Sequence, residues 1–378
     1  MKIVFRRFDT RKKRTPRRRR RVWRPWQAAL LILLFLILIV LALAGVVLAF
    51  SQYGRYHLQS RADSQAPSME GATISQEQAE EENIPWKEGY VRYEGDIYDY
   101  NSDIMTFLFM GIDKRDSVVQ RQEEGVNGGQ ADALFLLVLN PHDQTISVIG
   151  LNRNTMTDIE VYDEDGNYLA TREAQLAVQH GFGDGMEESC ELQEKAVRKL
   201  MYDLPIHGYC AINVSAVPTI NDAVGGVDVT VLEDMTQWDY RFTEGAQLHL
   251  EGEMAYTYIQ RRDTGEFASA DNRLARQKQY LQAFLQKAIA HVKEDPTSVT
   301  DLYNAISPAM VTDITLDEVL YLAGTAAGYR FGEDSFYMLP GETVMGENGY
   351  EEFHVDEDGL YELIINVFYE KVENGESE

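Results

Sequence analysis

From Ala28 to Phe50 the chain runs for 23 residues without one charged or strongly polar side chain, and about 20 such residues are enough to cross a bilayer as a helix. A helix satisfies its backbone polar groups internally, so the run predicts a transmembrane helix over residues 26–50. It is longer than the apolar core of a secretory signal, and Ser51-Gln52-Tyr53 offers no small-x-small cleavage site. Residues 1–25 hold 13 of the 35 Lys and Arg, among them Arg17, Arg18, Arg19, Arg20 and Arg21, with a single acid, Asp9. Basic residues beside a span stay on the cytoplasmic side. The pattern therefore predicts a single-pass protein of the cell membrane with a basic cytoplasmic tail over 1–25 and the bulk of the chain outside. Trp23, Trp26 and Tyr53 flank the span, where interfacial aromatics are expected.

Beyond residue 50 the charge reverses, with 22 Lys and Arg against 60 Asp and Glu. An acidic domain of that kind repels phosphate backbones, which argues against a nucleic-acid partner. Cys190 and Cys210 are the two cysteines of the chain. That number excludes a disulfide-dense scaffold and a four-cysteine zinc site, and leaves open both a single bridge and two separate core thiols. No two His stand at i and i+4, and no Gly-x-Ser-x-Gly occurs, so zinc-hydrolase and serine-hydrolase readings fall away.

Residues 51–97, rich in Gln, Ser, Glu and Ala, predict a stalk with too few apolar positions to bury anything. Residues 98–295 predict a catalytic domain, and 296–378 a subdomain that completes it. Apolar runs at Ile104–Gly111, Ala133–Leu139 and Ile146–Leu151 predict strands, the last two joined as a hairpin through Asn140-Pro141-His142-Asp143. Helical spacing marks Ser189–Tyr202, a helix capped by Ser215 and running to Val224, Glu251–Gln260, Asp271–Val292, a stretch at LDEVLYLAGTAAG, and Gly359–Val372. Further strands are expected at Tyr209–Val214, in VDVTVLED and at Ser335–Leu339. The fold class is α/β, a mixed central β-sheet with helices on both faces. The Gly-rich run from His180 to Gly185 fits neither a P-loop nor a dinucleotide fingerprint, and predicts a mobile loop beside the cleft.

Seven of the 22 basic residues beyond the span (Lys114, Arg115, Arg153, Arg261, Arg262, Arg273 and Arg276) fall beside Asp, Asn or small residues at the predicted strand and helix ends. The chemistry that fits is phosphoryl transfer, in which guanidinium groups bind phosphate oxygens bidentately and paired carboxylates hold a divalent cation. Asp113 and Asp132, each next to a predicted strand, are the candidate ligands of Mg²⁺ or Mn²⁺. Arg273 and Arg276, at i and i+3, share one helix face.

In chain order, FLFMGIDKRD, ADALFLLVLNPHDQTISVIGLNRNT, INDAVGGVDVTV and the pair LEGEMAYTYIQRRD with DNRLARQKQYLQAFL resemble the motifs of the LytR-CpsA-Psr family over residues 103–290. The resemblance implies a transferase that moves a glycan phosphate from a polyprenyl diphosphate carrier onto peptidoglycan, working at the membrane. It implies Asp113 and Asp132 at the metal, and Arg153, Arg262, Arg273 and Arg276 as catalytic groups with Asp113. Arg115 and Gln277 would bind the diphosphate, and a deep apolar pocket between sheet and helices would take the polyprenyl chain. Three motifs depart from the family: Ser-Asp-Thr is Ala131-Asp132-Ala133, Pro-Arg-Asp-Thr is Asn152-Arg153-Asn154-Thr155, and Arg-x-Arg is Gln260-Arg261-Arg262. Two alternatives stand beside the transferase: a pyrophosphatase acting on the same donor, and a non-catalytic lipid-binding regulator.

Overall fold

The computed structural model describes residues 53–372 apart from 59, 61–64, 70, 83, 85, 115–127, 164 and 264. The predicted basic tail and transmembrane helix lie outside the described residues, and no described helix is long and apolar enough to cross a membrane.

After the helical residues 53–58 come helix α1 (Gln76–Glu82) and the hairpin of β1 (Val91–Tyr93) and β2 (Asp96–Tyr100). The segment expected as a stalk with nothing to bury differs here: Met69, Ile74, Ala79 and Val91 are buried. Isolated apolar residues in a polar stretch suffice when a neighbouring surface is ready to receive them, and Met69 and Val91 pack into the main core.

Strands β3 (Met105–Ile112), β4 (Ala131–Asn140) and β5 (Thr145–Leu151) come after them, and the predicted hairpin through Asn140–Asp143 joins β4 to β5. Next come a two-stranded ribbon of β6 (Met156–Tyr162) and β7 (Tyr168–Gln175), helix α2 (Glu187–Leu200), strand β8 (Gly208–Asn213) and helix α3 (Val217–Ala223). Ser215 does not cap α3; it lies inside a 3₁₀ turn, Val214–Ala216, and Pro218 sits in the first turn of the helix. Strands β9 (Val227–Thr230) and β10 (Gln247–Leu250) pair ahead of helices α4 (Glu253–Gln260) and α5 (Ser269–Glu294). The C-terminal part holds α6 (Ser298–Ile306), β11 (Met310–Thr312), α7 (Leu316–Ala326), β12 (Phe336–Met338), the hairpin β13 (Gly341–Met345) and β14 (Glu351–Val355), α8 (Glu357–Phe368) and β15 (Tyr369–Lys371). The helix expected to reach Val372 ends at Phe368 because Tyr369–Lys371 pairs with β2 instead.

The central sheet has the order β11-β8-β3-β4-β5-β12 and is mixed, with β3 parallel to β8, β5 parallel to β12, and the other neighbours antiparallel. Its two faces result from the alternation of strand side chains. Leu108, Met110, Leu134, Leu136 and Val138 join the core against α2 and α8. Phe107, Phe109, Phe135 and Leu137 face α5 and α7. Both faces are thus covered, which is why these strands read as continuous apolar runs. Each fully buried Phe or Leu of this kind contributes about 1.5–3 kcal/mol. A separate small core of Val227, Val229, Phe242, Leu250 and Tyr258 holds the β9–β10 hairpin to α4. Since β3, β5 and β8 run in one direction, their carboxyl ends meet at one edge of the sheet, the edge where open α/β sheets place ligands.

Candidate functional site

Asp132 owes its position to an irregularity in the β3–β4 ladder. Gly111 pairs with Ala133 and Ile112 with Ala131, so Asp132 is an extra residue with no opposite number on β3. A bulge of this kind re-aims a side chain. Here it directs the carboxylate to the carboxyl-end edge, where it is 9% exposed. Arg153, two residues beyond β5, places Nη1 2.6 Å from Asp132 Oδ1. Arg273, in the second turn of α5, places Nη1 3.1 Å from Oδ2. Two guanidiniums from distant parts of the chain therefore grip one buried carboxylate.

Two positive groups on one negative group leave surplus charge. Burial lowers the Arg153 pKa against the opposing pull of Asp132, and nearby Arg262 pushes the same way as burial, while Asp113 supports the cation. Burial brings Arg273 down to about 10, with Asp132 opposing and Arg153, Arg262 and Arg276 adding to the fall. At neutral pH both remain cationic. Arg153 Nε and Arg273 Nη2 are buried donors with no hydrogen-bond partner among the described residues. Unmet buried donors cost about 1–3 kcal/mol each, and an anion bound between them would remove that cost.

The loop carrying Arg153 is pinned from several sides. Asn152 Oδ1 accepts the Asn154 backbone N–H at 2.9 Å, and its Nδ2 donates to Asp271 Oδ1 at 2.6 Å, tying the loop to the first turn of α5. The proline of the resembled motif could form neither bond. Arg153 also donates to Gln130 Oε1. Gln130 comes directly after Gly129, whose carbonyl lies 3.1 Å from His180 Nδ1. The expected mobile loop around His180 is instead the packed 3₁₀ segment Leu176–Phe182, with its imidazole buried. A Cβ on Gly183 would come within 2.5 Å of the Ser189 backbone, so glycine serves close packing there rather than motion.

The other predicted residues divide. Asp113 is exposed beside the paired end of β3 and β4, its N–H bonded to the Gln130 carbonyl. Arg262 is half-buried and donates to Ser269 Oγ at 3.1 Å. Arg115 lies outside the described residues. Arg276, expected around the diphosphate, is a correction: fully buried, it donates to the carbonyls of Tyr258 and Arg261 and pairs with Glu233 at 2.8 Å. It closes the C-terminal end of α4, where carbonyls lack helical partners. Gln277 donates to the Ile259 carbonyl at 3.2 Å and still lines the apolar cavity beneath the site. Gln130, Glu233 and Glu351 are polar partners that sequence reasoning missed. Their partners lie on other elements, and no local motif announces them.

Directly beneath Asp132 and Arg273 opens that cavity, of about 330 Å³. Its walls are apolar side chains of β3 and β4 on one side, such as Phe109 and Phe135, and of α5 on the other, such as Leu281 and Phe284. Gly111 and Ala133 form its small-residue throat, where a Gly111 Cβ would stand 3.1 Å from that of Ala133. A second cavity of about 630 Å³ shares Phe109, Leu137, Cys210, Leu285, Leu302 and Ile306 with the first. Through these shared walls the two run together as one trough beneath α5, with the Asp132–Arg273 pair bordering the first cavity and His291, Asp295 and Asp301 bordering the second. Cys210 is one of the shared wall residues, and both cysteines are free and buried, with no bridge between them. Among the described residues no group of three or more His, Cys, Asp or Glu could hold a metal ion.

Comparison with known proteins bears on the family and the fold. A family model described as the LytR_cpsA_psr family matches residues 56–365. The chain is 27% identical over 221 residues to a protein of Bacillus cereus (strain AH820) named polyisoprenyl-teichoic acid--peptidoglycan teichoic acid transferase TagU, covering 58% of this chain and 63% of that relative, less than two thirds of its length. In structure it is similar to protein gbs0355 from Streptococcus agalactiae, with TM-score 0.56, 21% identity, and coverage of 70% of this chain and 86% of that one. It is also similar to TagV of B. subtilis, with TM-score 0.52, 22% identity, and coverage of 70% and 95%.

Proposed function

The chain belongs to the LytR-CpsA-Psr family, and from that membership we propose that it transfers a glycan phosphate from a polyprenyl diphosphate carrier to a peptidoglycan hydroxyl. The name of the B. cereus relative makes a teichoic acid the first polymer to test. The observation that carries the reading is the junction of two buried guanidiniums, sharing one carboxylate, with the apolar trough. A ligand matched to it has a polyanionic head and a long hydrocarbon tail, the two ends of a polyprenyl diphosphate. The apolar run at 28–50 would hold the domain where such a lipid is available.

In this reading Arg153 and Arg273 bind the diphosphate through the donors that Asp132 leaves free. They hold the sugar-side phosphorus for in-line attack by the acceptor oxygen. As the new P–O bond forms and the bond to the lipid phosphate breaks, charge gathers on the departing phosphate, where the same guanidiniums oppose it. The acceptor proton goes to the Asp113 carboxylate or to the substrate itself. Asp132, whose Oδ1 lacks an aligned hydrogen bond, and exposed Asp113 suit a hard divalent ion that takes its remaining ligands from diphosphate and water. Mg²⁺ or Mn²⁺ held there would neutralise diphosphate charge.

Full-length protein in detergent, given polyprenyl diphosphate-linked polymer and peptidoglycan with or without Mg²⁺, is expected to place polymer on wall material. Arg153→Ala should lower that turnover about 10²–10³-fold. Release of polymer into water with none on the wall would make the protein a pyrophosphatase. Tight lipid binding with no turnover would reduce it to a lipid-binding regulator.

A further inference from the structure

The loop bearing Arg153 and the start of the helix bearing Arg273 are joined by a residue that neither element supplies. Glu351, first residue of β14, lies 197 positions beyond Asn154. Its Oε2 accepts from Asn154 Nδ2 at 3.4 Å, and its Oε1 accepts the Ala268 backbone N–H at 2.6 Å. Its own carbonyl accepts from Gln175 Nε2 at 2.7 Å, and the neighbouring Phe353 N–H bonds to the Asn154 carbonyl at 2.9 Å. Ala268 immediately precedes α5 and has φ of 60°, a left-handed conformation uncommon for a residue with a side chain. The Glu351 carboxylate holds that amide in place and adds a negative charge where the helix dipole favours one.

We infer that Glu351 is a positioning residue of the anion site: it sets the spacing between Arg153 and Arg273 by bracing the Asn154 loop against the first residues of α5. The inference rests on the diphosphate reading of that site. Asn154 stands where the resembled motif carries Asp, and Glu351 delivers a carboxylate to the same place from another element. An Asp at 154 would then face Glu351 as a like charge, which makes the pair testable by exchange.

The test uses full-length protein in detergent, inorganic pyrophosphate as the probe in calorimetric titration, and turnover of the lipid-linked donor split into kcat and KM. Glu351→Ala is expected to weaken pyrophosphate binding roughly tenfold while Tm stays close to that of the parent. Asn154→Asp should weaken it by a similar factor, and Asn154→Asp with Glu351→Gln should bring it back, since the new amide donates to the new carboxylate. Parent-like binding in Glu351→Ala, undiminished binding in Asn154→Asp, or losses that merely track a falling Tm would each overturn the brace and leave the diphosphate site standing. A parent chain that binds no pyrophosphate would remove the diphosphate reading, and the brace with it.

Discussion

The charged end of the trough and its apolar stretch are built on opposite principles. At the charged end the buried ionic groups are held by specific partners: Asp132 is gripped by Arg153 and Arg273, Asp271 by Asn152, and Arg276 by two carbonyls and Glu233. Along the apolar stretch that the two cavities share, side chains such as Leu137, Leu285 and Ile306 line the space through contact alone. Hydrogen bonds and buried ion pairs are directional, and losing one partner strands the other. Dispersion contacts are many, weak and interchangeable. The charged end should therefore be brittle to substitution and the apolar stretch tolerant.

The sharpest attempt to break this contrast is Arg273→Ala. It removes one of the two guanidiniums on Asp132, and should lower kcat/KM for the lipid-linked donor about 10²–10³-fold. Arg273→Lys should recover little, because the three N–H groups of an ammonium radiate from one nitrogen and lack the planar fork that spans Asp132 and a phosphate together. A Lys variant with parental kinetics would mean that the fork geometry is irrelevant.

Acid supplies the next largest effect. Burial holds His180 down to about 4, against the hydrogen bond to Gly129 that raises it. Burial also holds His207 down to about 4. Between those values and the ordinary 6.5 the unfolded chain binds protons that the folded chain refuses, so stability falls as pH drops through that window. Each ring accounts for roughly 3 kcal/mol by the linkage relation. Urea midpoints measured from pH 7 to pH 4.5 should fall steadily, and His180→Gln should flatten part of the slope. An unchanged slope in that variant would separate His180 from the acid response.

The smallest effect belongs to the apolar stretch. Leu285→Ala trims a wall that already borders empty space, so Tm should fall by less than the 2–5 kcal/mol equivalent of a packed Leu→Ala change. Donor turnover should fall by less than about tenfold, mostly through KM, because about 1–3 kcal/mol is the scale of a lost apolar contact. A hundredfold loss of kcat would show that the trough is as directional as the charged end.

The same contrast governs how much of the molecule is legible in its sequence. Strands β3, β4 and β5 are legible because both faces of the sheet are buried and their side chains are apolar throughout. The β6–β7 ribbon escapes because it presents mostly polar, exposed positions, as in YLATREAQ. Arg153, Asp132 and Arg273 are legible as charges at element ends. Helical spacing alone assigns Arg276 to the same site, yet three residues along a helix turn a side chain by about 60°, enough to send it to α4. Glu351 carries no signal, since its partners Asn154 and Ala268 are remote in the chain.

The sequence by itself determined the apolar run at 28–50, the acidic character of the chain beyond it, the continuous apolar runs that build a sheet buried on both faces, and the set of arginines and aspartates available for phosphate chemistry. These depend on local composition and period, which act over a few residues. Tertiary structure alone decided which arginine meets Asp132 and which closes a helix, that a bulge turns Asp132 to the edge, and that a glutamate from the C-terminal hairpin braces the Arg153 loop. Those outcomes depend on distances between residues far apart in the chain, which packing of the whole sheet and its helices sets.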